Sequence, residues 1–218
     1  MRAGRLPIVF PSALGWMSLV IDSRETVWQL SFGHVTPQEA LASVSDALAL
    51  ADDELADSEQ VDAATERCAL VHRLQAYAEG VEDDFLDVEI DCSNLTPFQT
   101  RVVEICRRIP FGSSLTYGDV AARAGHSRAA RAVGNCMRAN HVPLIVPCHR
   151  VVGAGGARRG DSPGEGIRLK LRLLEMESAR QPRRSRKRVA SERHSAASRG
   201  LSARRNERRE MKKSFADY

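Results

Sequence analysis

The chain has 218 residues, 43% of them hydrophobic and 28% charged, which suits one large soluble domain or two small ones with packed cores. No apolar run approaches the roughly 20 residues of a membrane span, and residues 1–10 lack the apolar stretch and small-residue cleavage site of a signal peptide. The net charge of +4 hides an asymmetry: residues 180–218 carry 14 Lys/Arg against 4 Asp/Glu, leaving 18 against 24 in the rest.

The tail therefore sets the overall basicity, and that basicity says nothing about whether the folded part meets nucleic acid. The tail is Ser/Arg-rich and aromatic-poor, as in disordered segments. It is either a passive extension or a source of salt-sensitive attraction to phosphates. Five cysteines without CxxC spacing argue against a zinc ribbon or a secreted disulfide framework and for a reducing compartment.

In chain order, residues 16–21 and 26–32 are two β-rich runs separated by Asp22-Ser23-Arg24, a predicted hairpin. Thr36-Pro37-Gln38-Glu39 is a capping box with proline at the first helical position, followed by Leu41, Val44 and Leu48 at helical spacing. Acidic residues 51–60 read as a loop. Val61, Ala64, Cys68, Val71 and Gln75-Ala76 predict a helix ending near Gly80, and residues 85–90 (FLDVEI) alternate as a strand would. Residues 1–90 thus read as a small α/β domain without evident chemistry, its His34, His72 and Cys68 being surface or core residues.

From Thr96 the character changes. Thr96-Pro97-Phe98-Gln99 is a second capping box, with Phe98, Val102, Ile105 and Ile109 as a buried stripe ended by Pro110-Phe111-Gly112. Thr116, with Asp119, caps a short helix that stops at Gly125, and Ser127 is the predicted cap of another carrying Val133 and Met137. Such a pair has the look of a helix-turn-helix. Small residues at Ala129, Ala130, Ala132 and Gly134 suit close approach to a duplex or close helix packing, and composition does not decide between them. Residues 140–152 then form a strand-like apolar run, with Pro143 and Pro147, that delivers Cys148-His149-Arg150. A thiol with an ordinary pKa near 8.5 is only a few per cent thiolate at neutral pH, so a nucleophilic Cys148 needs a base or cation beside it.

The blocks TPFQTRVVEICRRIPFGSSLTYGDVAARAG and RAARAVGNCMRANHVPLIVPCHRVV, and more loosely IRLKLRLLEMES, closely resemble the catalytic domain of the O6-alkylguanine-DNA alkyltransferases. The resemblance covers about 85 residues well, reaches the first 90 only in layout and excludes the tail. It implies an α/β N-terminal domain, a small sheet with helices, over residues 1–90. A mainly α catalytic domain with a winged-helix-like helix-turn-helix follows over 91–179, then a basic disordered tail over 180–218. The implied activity is a single, stoichiometric transfer of an alkyl group from O6-alkylguanine in DNA to Cys148, with O4-alkylthymine as a further candidate substrate. His149 would be the general base through a water, Glu177 would hold its tautomer, and Asn140 would brace the turn. Tyr117 would assist rotation of the base and bond its N3, and Arg131 would enter the duplex and fill the vacated space. Thr116, Ala129, Ala130, Gly134 and Arg138 complete the implied DNA-binding set in the minor groove. Met137, Val151 and Ser162 join Tyr117 in the substrate pocket, with backbone groups of Cys148 and Val151 receiving the guanine amine. The resemblance implies no cofactor and no metal site, no membrane, a monomer acting on double-stranded DNA, and a cytoplasmic location (nucleoid-associated if bacterial, nuclear if eukaryotic).

One departure stands out. Asp161 occupies the place of an aromatic pocket wall, two residues are inserted before the last helix, and Arg158 or Arg159 is a candidate partner for the carboxylate. Tyr77, Tyr117 and Tyr218 are the only tyrosines, so none is expected nearby to compensate. The rival readings are a non-enzymatic lesion binder of the alkyltransferase-like type, a helix-turn-helix transcription factor and a cysteine hydrolase. The retained Cys148-His149-Arg150 disfavours the first, the second leaves that motif unexplained, and the third lacks an oxyanion-hole motif.

Overall fold

The computed structural model describes residues 4–45, 68–155 and 165–180. Leu48, the acidic run 51–60, the predicted helix start at Val61 and Ala64, residues 158–162 and the tail from 181 lie outside the described residues.

Three antiparallel strands, β1 (Arg5–Phe10), β2 (Trp16–Asp22) and β3 (Val27–His34), form a sheet in that order. The predicted hairpin is β2–β3. Asp22 shapes its turn by accepting from the Arg24 and Thr26 amides at 2.8 and 3.1 Å. β1, which contains Pro7, was not among the strands expected from the sequence. Proline, lacking an N–H, is tolerated on an edge strand, and β1 is an edge. Ile8, Phe10, Met17, Leu19 and Leu30 are buried in the core.

Helix α1 (Pro37–Ala42) has its Thr36 cap, but Leu41 is exposed while Val44, beyond the helix, is buried, so the predicted stripe through Leu41 does not face the core. Helix α2 (Ala69–Ala78) ends at Gly80, whose φ of 91° is the left-handed conformation that glycine adopts without strain. The expected strand at residues 85–90 does not form. Asp83 and Asp84 accept from the Phe85 and Leu86 amides, and Phe85 takes φ 49°. Arg107 then binds the Phe85 and Val88 carbonyls. Only Ile90 reaches the sheet, bridging Val27. Local carboxylate–backbone bonds outcompeted a ladder there.

Helix α3 (Pro97–Arg107) carries the complete Thr96/Gln99 capping box and buries Val102, Val103 and Cys106. β4 (Leu115–Thr116) leads into α4 (Tyr117–Arg123), where Thr116 and Asp119 make a second reciprocal box. Helix α5 (Ala130–Arg138) starts later than expected. A turn bond from the Ala129 amide to the His126 carbonyl precedes it, leaving Ala129 at the cap position and Ser127 exposed before it. The apolar run after α5 is not a strand either: Leu144 adopts φ 70° and the Val146 amide bonds back to the Val142 carbonyl at 2.9 Å. A left-handed leucine is a strained conformation costing on the order of 1–3 kcal/mol, held here by burial of Val142, Leu144, Ile145 and Val146. One 3-10 turn, Cys148–Arg150, passes directly into β5 (Val151–Val152). β5 pairs in parallel with β4, Leu115 to Val151 and Thr116 to Val152. That short pairing sets the start of α4 beside the Cys148 turn. Helix α6 (Glu165–Arg180) closes the site, with Leu173 and Glu177 buried.

Candidate active site

Cys148 is half-buried in the wall of a pocket also lined by Tyr117, Met137, Pro143, His149 and Lys170. Behind it lies a closed polar network. His149 Nε2 is 2.8 Å from Glu177 Oε1, and both side chains are buried. Arg150 donates from Nη2 to Glu177 Oε1 at 2.8 Å, from Nε to both carboxylate oxygens, and from Nη1 to the Ile109 carbonyl at 2.7 Å. The Gly112 amide donates to Glu177 Oε2 at 3.0 Å. A buried carboxylate is costly unless it is surrounded by donors, and this one is.

The electrostatics follow. Burial alone would raise the Glu177 pKa, but the hydrogen bonds and charge around it outweigh burial and hold it at about 2. An ionised carboxylate can only accept, so His149 Nε2 carries the ring proton and Nδ1 is left as the basic nitrogen. Burial lowers the His149 pKa below its ordinary 6.5, the Glu177 bond opposing this only in part. The ring is therefore a neutral base at physiological pH. Arg150 stays charged: burial disfavours its cation, but Glu177 more than compensates.

Asn140 sits half-buried, its Nδ2 donating to the Val146 carbonyl at 2.9 Å and its Oδ1 accepting from the Val142 amide at 3.2 Å. It thus ties together the two ends of the strained turn that precedes Cys148. Tyr117 opens α4 in the pocket wall. Thr116, Ala130, Arg131, Gly134 and Arg138 line the same opening, with Arg131 and Arg138 exposed. Met137 is buried at the base of α5. Ala129 instead packs against the core, and the buried Val151 presents its carbonyl to Lys170 Nζ at 2.6 Å. Ser162 and Asp161 lie outside the described residues.

Sequence reasoning missed three members. Tyr77, given no role in the sequence reading, donates to Glu177 Oε1 and lies 3.3 Å from both His149 Nε2 and Arg150 Nη2. The absence of a tyrosine beside Asp161 concerns a position outside the described residues. Lys170 carries its ammonium to the pocket beside the Tyr117 ring, 5.7 Å from its centroid. Phe32, from β3, supplies an aromatic side chain to the pocket lining. Among the described residues no three His, Cys, Asp or Glu side chains stand together as a metal site, and no helix is long and apolar enough to cross a membrane.

A family model described as the DNA-binding domain of 6-O-methylguanine DNA methyltransferase matches residues 97–179. The chain is 45% identical over 112 residues to a methylated-DNA–protein-cysteine methyltransferase of Mycobacterium tuberculosis, covering 51% of this chain and 66% of that one. It is 41% identical over 108 residues to the protein of that name from Methanothermobacter thermautotrophicus, covering 50% and 59%. These alignments span less than two thirds of either relative. The crystal structure of Mycobacterium tuberculosis O6-methylguanine methyltransferase superimposes with a TM-score of 0.61 at 30% identity, covering 82% of this chain and 96% of that one. A structure of the mycobacterial protein in complex with DNA gives 0.56 at 29% identity, covering 81% and 94%.

Proposed function

The chain belongs to the O6-alkylguanine-DNA alkyltransferase family, and we propose that it repairs DNA by moving an alkyl group from O6 of guanine onto Cys148. The observation that carries this reading is a pocket lined by both Cys148 and His149, the His149 Nε2 being tied to the ionised Glu177. His149 Nδ1 takes the thiol proton through one water, and Glu177 stabilises the imidazolium that results. The thiolate sulfur then attacks the alkyl carbon as the O6–carbon bond breaks. The restored guanine takes up a proton at N1, so the thiol proton ends on the base and the alkyl group on sulfur. A thioether is not reversed by thiol exchange, so each molecule acts once.

A guanine within the stack hides its O6 group, so the base enters the pocket flipped out of the duplex. In this reading α4 and α5 act as the helix-turn-helix of a winged-helix-like domain, residues 91–179, following an α/β domain at 1–90. Helix α5 lies in the minor groove with Ala130 and Gly134 near the backbone, Arg131 replaces the flipped base, and Thr116 and Arg138 flank it. Tyr117 and Met137 hold the base, with Ser162 donating to O6 and the Cys148 and Val151 carbonyls accepting from its amine. Minor-groove contact reads little sequence, which suits a protein that inspects every guanine. The protein works as a monomer wherever the cell keeps its DNA, and O4-alkylthymine is a second substrate of the same chemistry. The basic residues 180–218 add salt-sensitive attraction to phosphates.

The test is incubation with a duplex containing O6-methylguanine followed by peptide mass mapping. A one-methylene increment on the Cys148 peptide, absent in Cys148→Ser, is expected. Tight binding without the increment would turn the reading to that of a lesion binder.

A further inference from the structure

The base that serves Cys148 is itself served by a residue from the other end of the fold. Tyr77 lies on α2, 72 residues before His149 and 100 before Glu177. Its ring is fully buried, packed 5.5 Å from the Phe85 ring and edge-on to Phe111 at 5.9 Å. The hydroxyl has one proton to give. His149 Nε2, 3.3 Å away, already carries a hydrogen directed at Glu177, so the Tyr77 proton goes to Glu177 Oε1. Arg150 Nη2 donates in turn to the Tyr77 oxygen at 3.3 Å.

Glu177 Oε1 thus receives His149, Arg150 and Tyr77 together. Each donor takes a share of the carboxylate's charge. A carboxylate with fewer partners would hold a proton on the His149 ring more firmly, and a ring already protonated cannot relieve Cys148 of its own.

We propose that Tyr77 is a positioning residue for alkyl transfer: by sharing Glu177 with His149 it keeps the imidazole neutral and oriented as the base for Cys148. Residues 1–90, which carry no recognisable chemistry of their own in sequence, thereby take part in catalysis through α2. The inference rests on the alkyl-transfer reading of Cys148. Tyr77 keeps its proton throughout, because burial and the neighbouring Glu177 charge both push its pKa upward.

Tyr77→Phe in the full chain is the test, since it deletes the hydroxyl and retains the ring between Phe85 and Phe111. Single-turnover transfer from an O6-methylguanine duplex is measured against pH, and His149 is titrated separately by 15N NMR without substrate. The acid limb and the His149 titration should both move upward by on the order of half a unit, so that transfer on the acid limb falls by up to about threefold while transfer at pH 8.5 is little changed. An equal loss at every pH with an unmoved His149 titration overturns the proposal and leaves Tyr77 a packing residue. If Tyr77→Phe does not fold, 3-fluorotyrosine placed at 77, a stronger donor, should move both readouts downward, and unmoved readouts overturn the proposal. Should the wild-type protein transfer no alkyl group, the transfer reading fails, while the His149 titration still decides whether Tyr77 governs the ring.

Discussion

Arg150 Nη2 and Glu177 Oε1 lie 2.8 Å apart with both side chains buried, so neither charge is balanced by solvent. Removing one partner leaves the other stranded, which costs on the order of 3–5 kcal/mol in such a setting. Glu177→Gln should therefore destabilise the fold by about that amount and slow alkyl transfer, because His149 loses the anion that supports its imidazolium. Urea unfolding and single-turnover transfer on the same preparation check both effects. Loss of transfer without loss of stability would mean that the pair does not hold the fold.

Stability should fall on the acid side in two stages. His149 has a folded pKa below its ordinary 6.5, so the unfolded chain binds a proton first and stability declines as pH drops below that value. Glu177 has a folded pKa of about 2 against an ordinary 4.5, so its contribution is complete above 4.5 and is lost as pH falls toward 2. Thermal melts from pH 8 to pH 3 should show a shallow decline from about 6.5. Below 4.5 the decline should become steeper. Glu177→Gln should make the steeper stage shallower without removing it, because Asp22, Asp83 and Asp87 are also held below the ordinary carboxylate range by their hydrogen bonds; an unchanged stage would assign it to those carboxylates.

Asn140→Ala removes the donor to the Val146 carbonyl and the acceptor for the Val142 amide. Val142 and Val146 are both buried; the Val146 carbonyl keeps the Cys148 amide at 2.7 Å, whereas the Val142 amide loses its acceptor, which costs about 1–3 kcal/mol. The turn also contains the left-handed Leu144, so the freed segment should relax and displace Cys148. The expected result is a lower melting temperature together with transfer slowed more than tenfold. A normal rate in a destabilised protein would show that the turn holds its shape without the brace.

The features legible in the sequence were local ones. The Thr96/Gln99 and Thr116/Asp119 capping boxes each use residues three apart, and both form as the sequence predicts. The alternation of residues 85–90 misled because Asp83 and Asp84, just upstream, bind the backbone that a ladder would have used. Ser127 was a plausible cap until the His126–Ala129 turn displaced the helix start. Cys148, His149 and Glu177 were named through the family resemblance, and the structure brings His149 and Glu177 together at 2.8 Å. Tyr77 was given no role, since that role exists only once α2 is packed against α6, and no spacing rule spans 100 residues.

Arg131 is exposed on the first turn of α5 at the rim of the pocket. If it occupies the space left by the flipped base, it acts only when a duplex is present. Arg131→Ala should then slow repair of an O6-methylguanine duplex far more than reaction with free O6-benzylguanine. Equal losses on both substrates would remove it from the flipping step.

Gly134 separates the two uses of small residues on α5. Ala129 packs against the core, so its size serves the fold. At Gly134 an added Cβ would meet nothing closer than Tyr117 Cε1 at 3.9 Å, an ordinary contact, so the fold does not require glycine there. Glycine in a helix interior costs roughly 0.5–1 kcal/mol relative to alanine. Gly134→Ala should therefore raise the melting temperature by about 1–4 °C. The same methyl group, on the face that meets DNA in the proposed complex, should weaken duplex binding, measured by fluorescence anisotropy with Cys148→Ser to prevent turnover. A more stable protein with weaker duplex binding would identify the backbone of α5 as a DNA contact. A less stable one would mean that the helix needs its glycine for packing, and unchanged affinity would move the duplex away from this face.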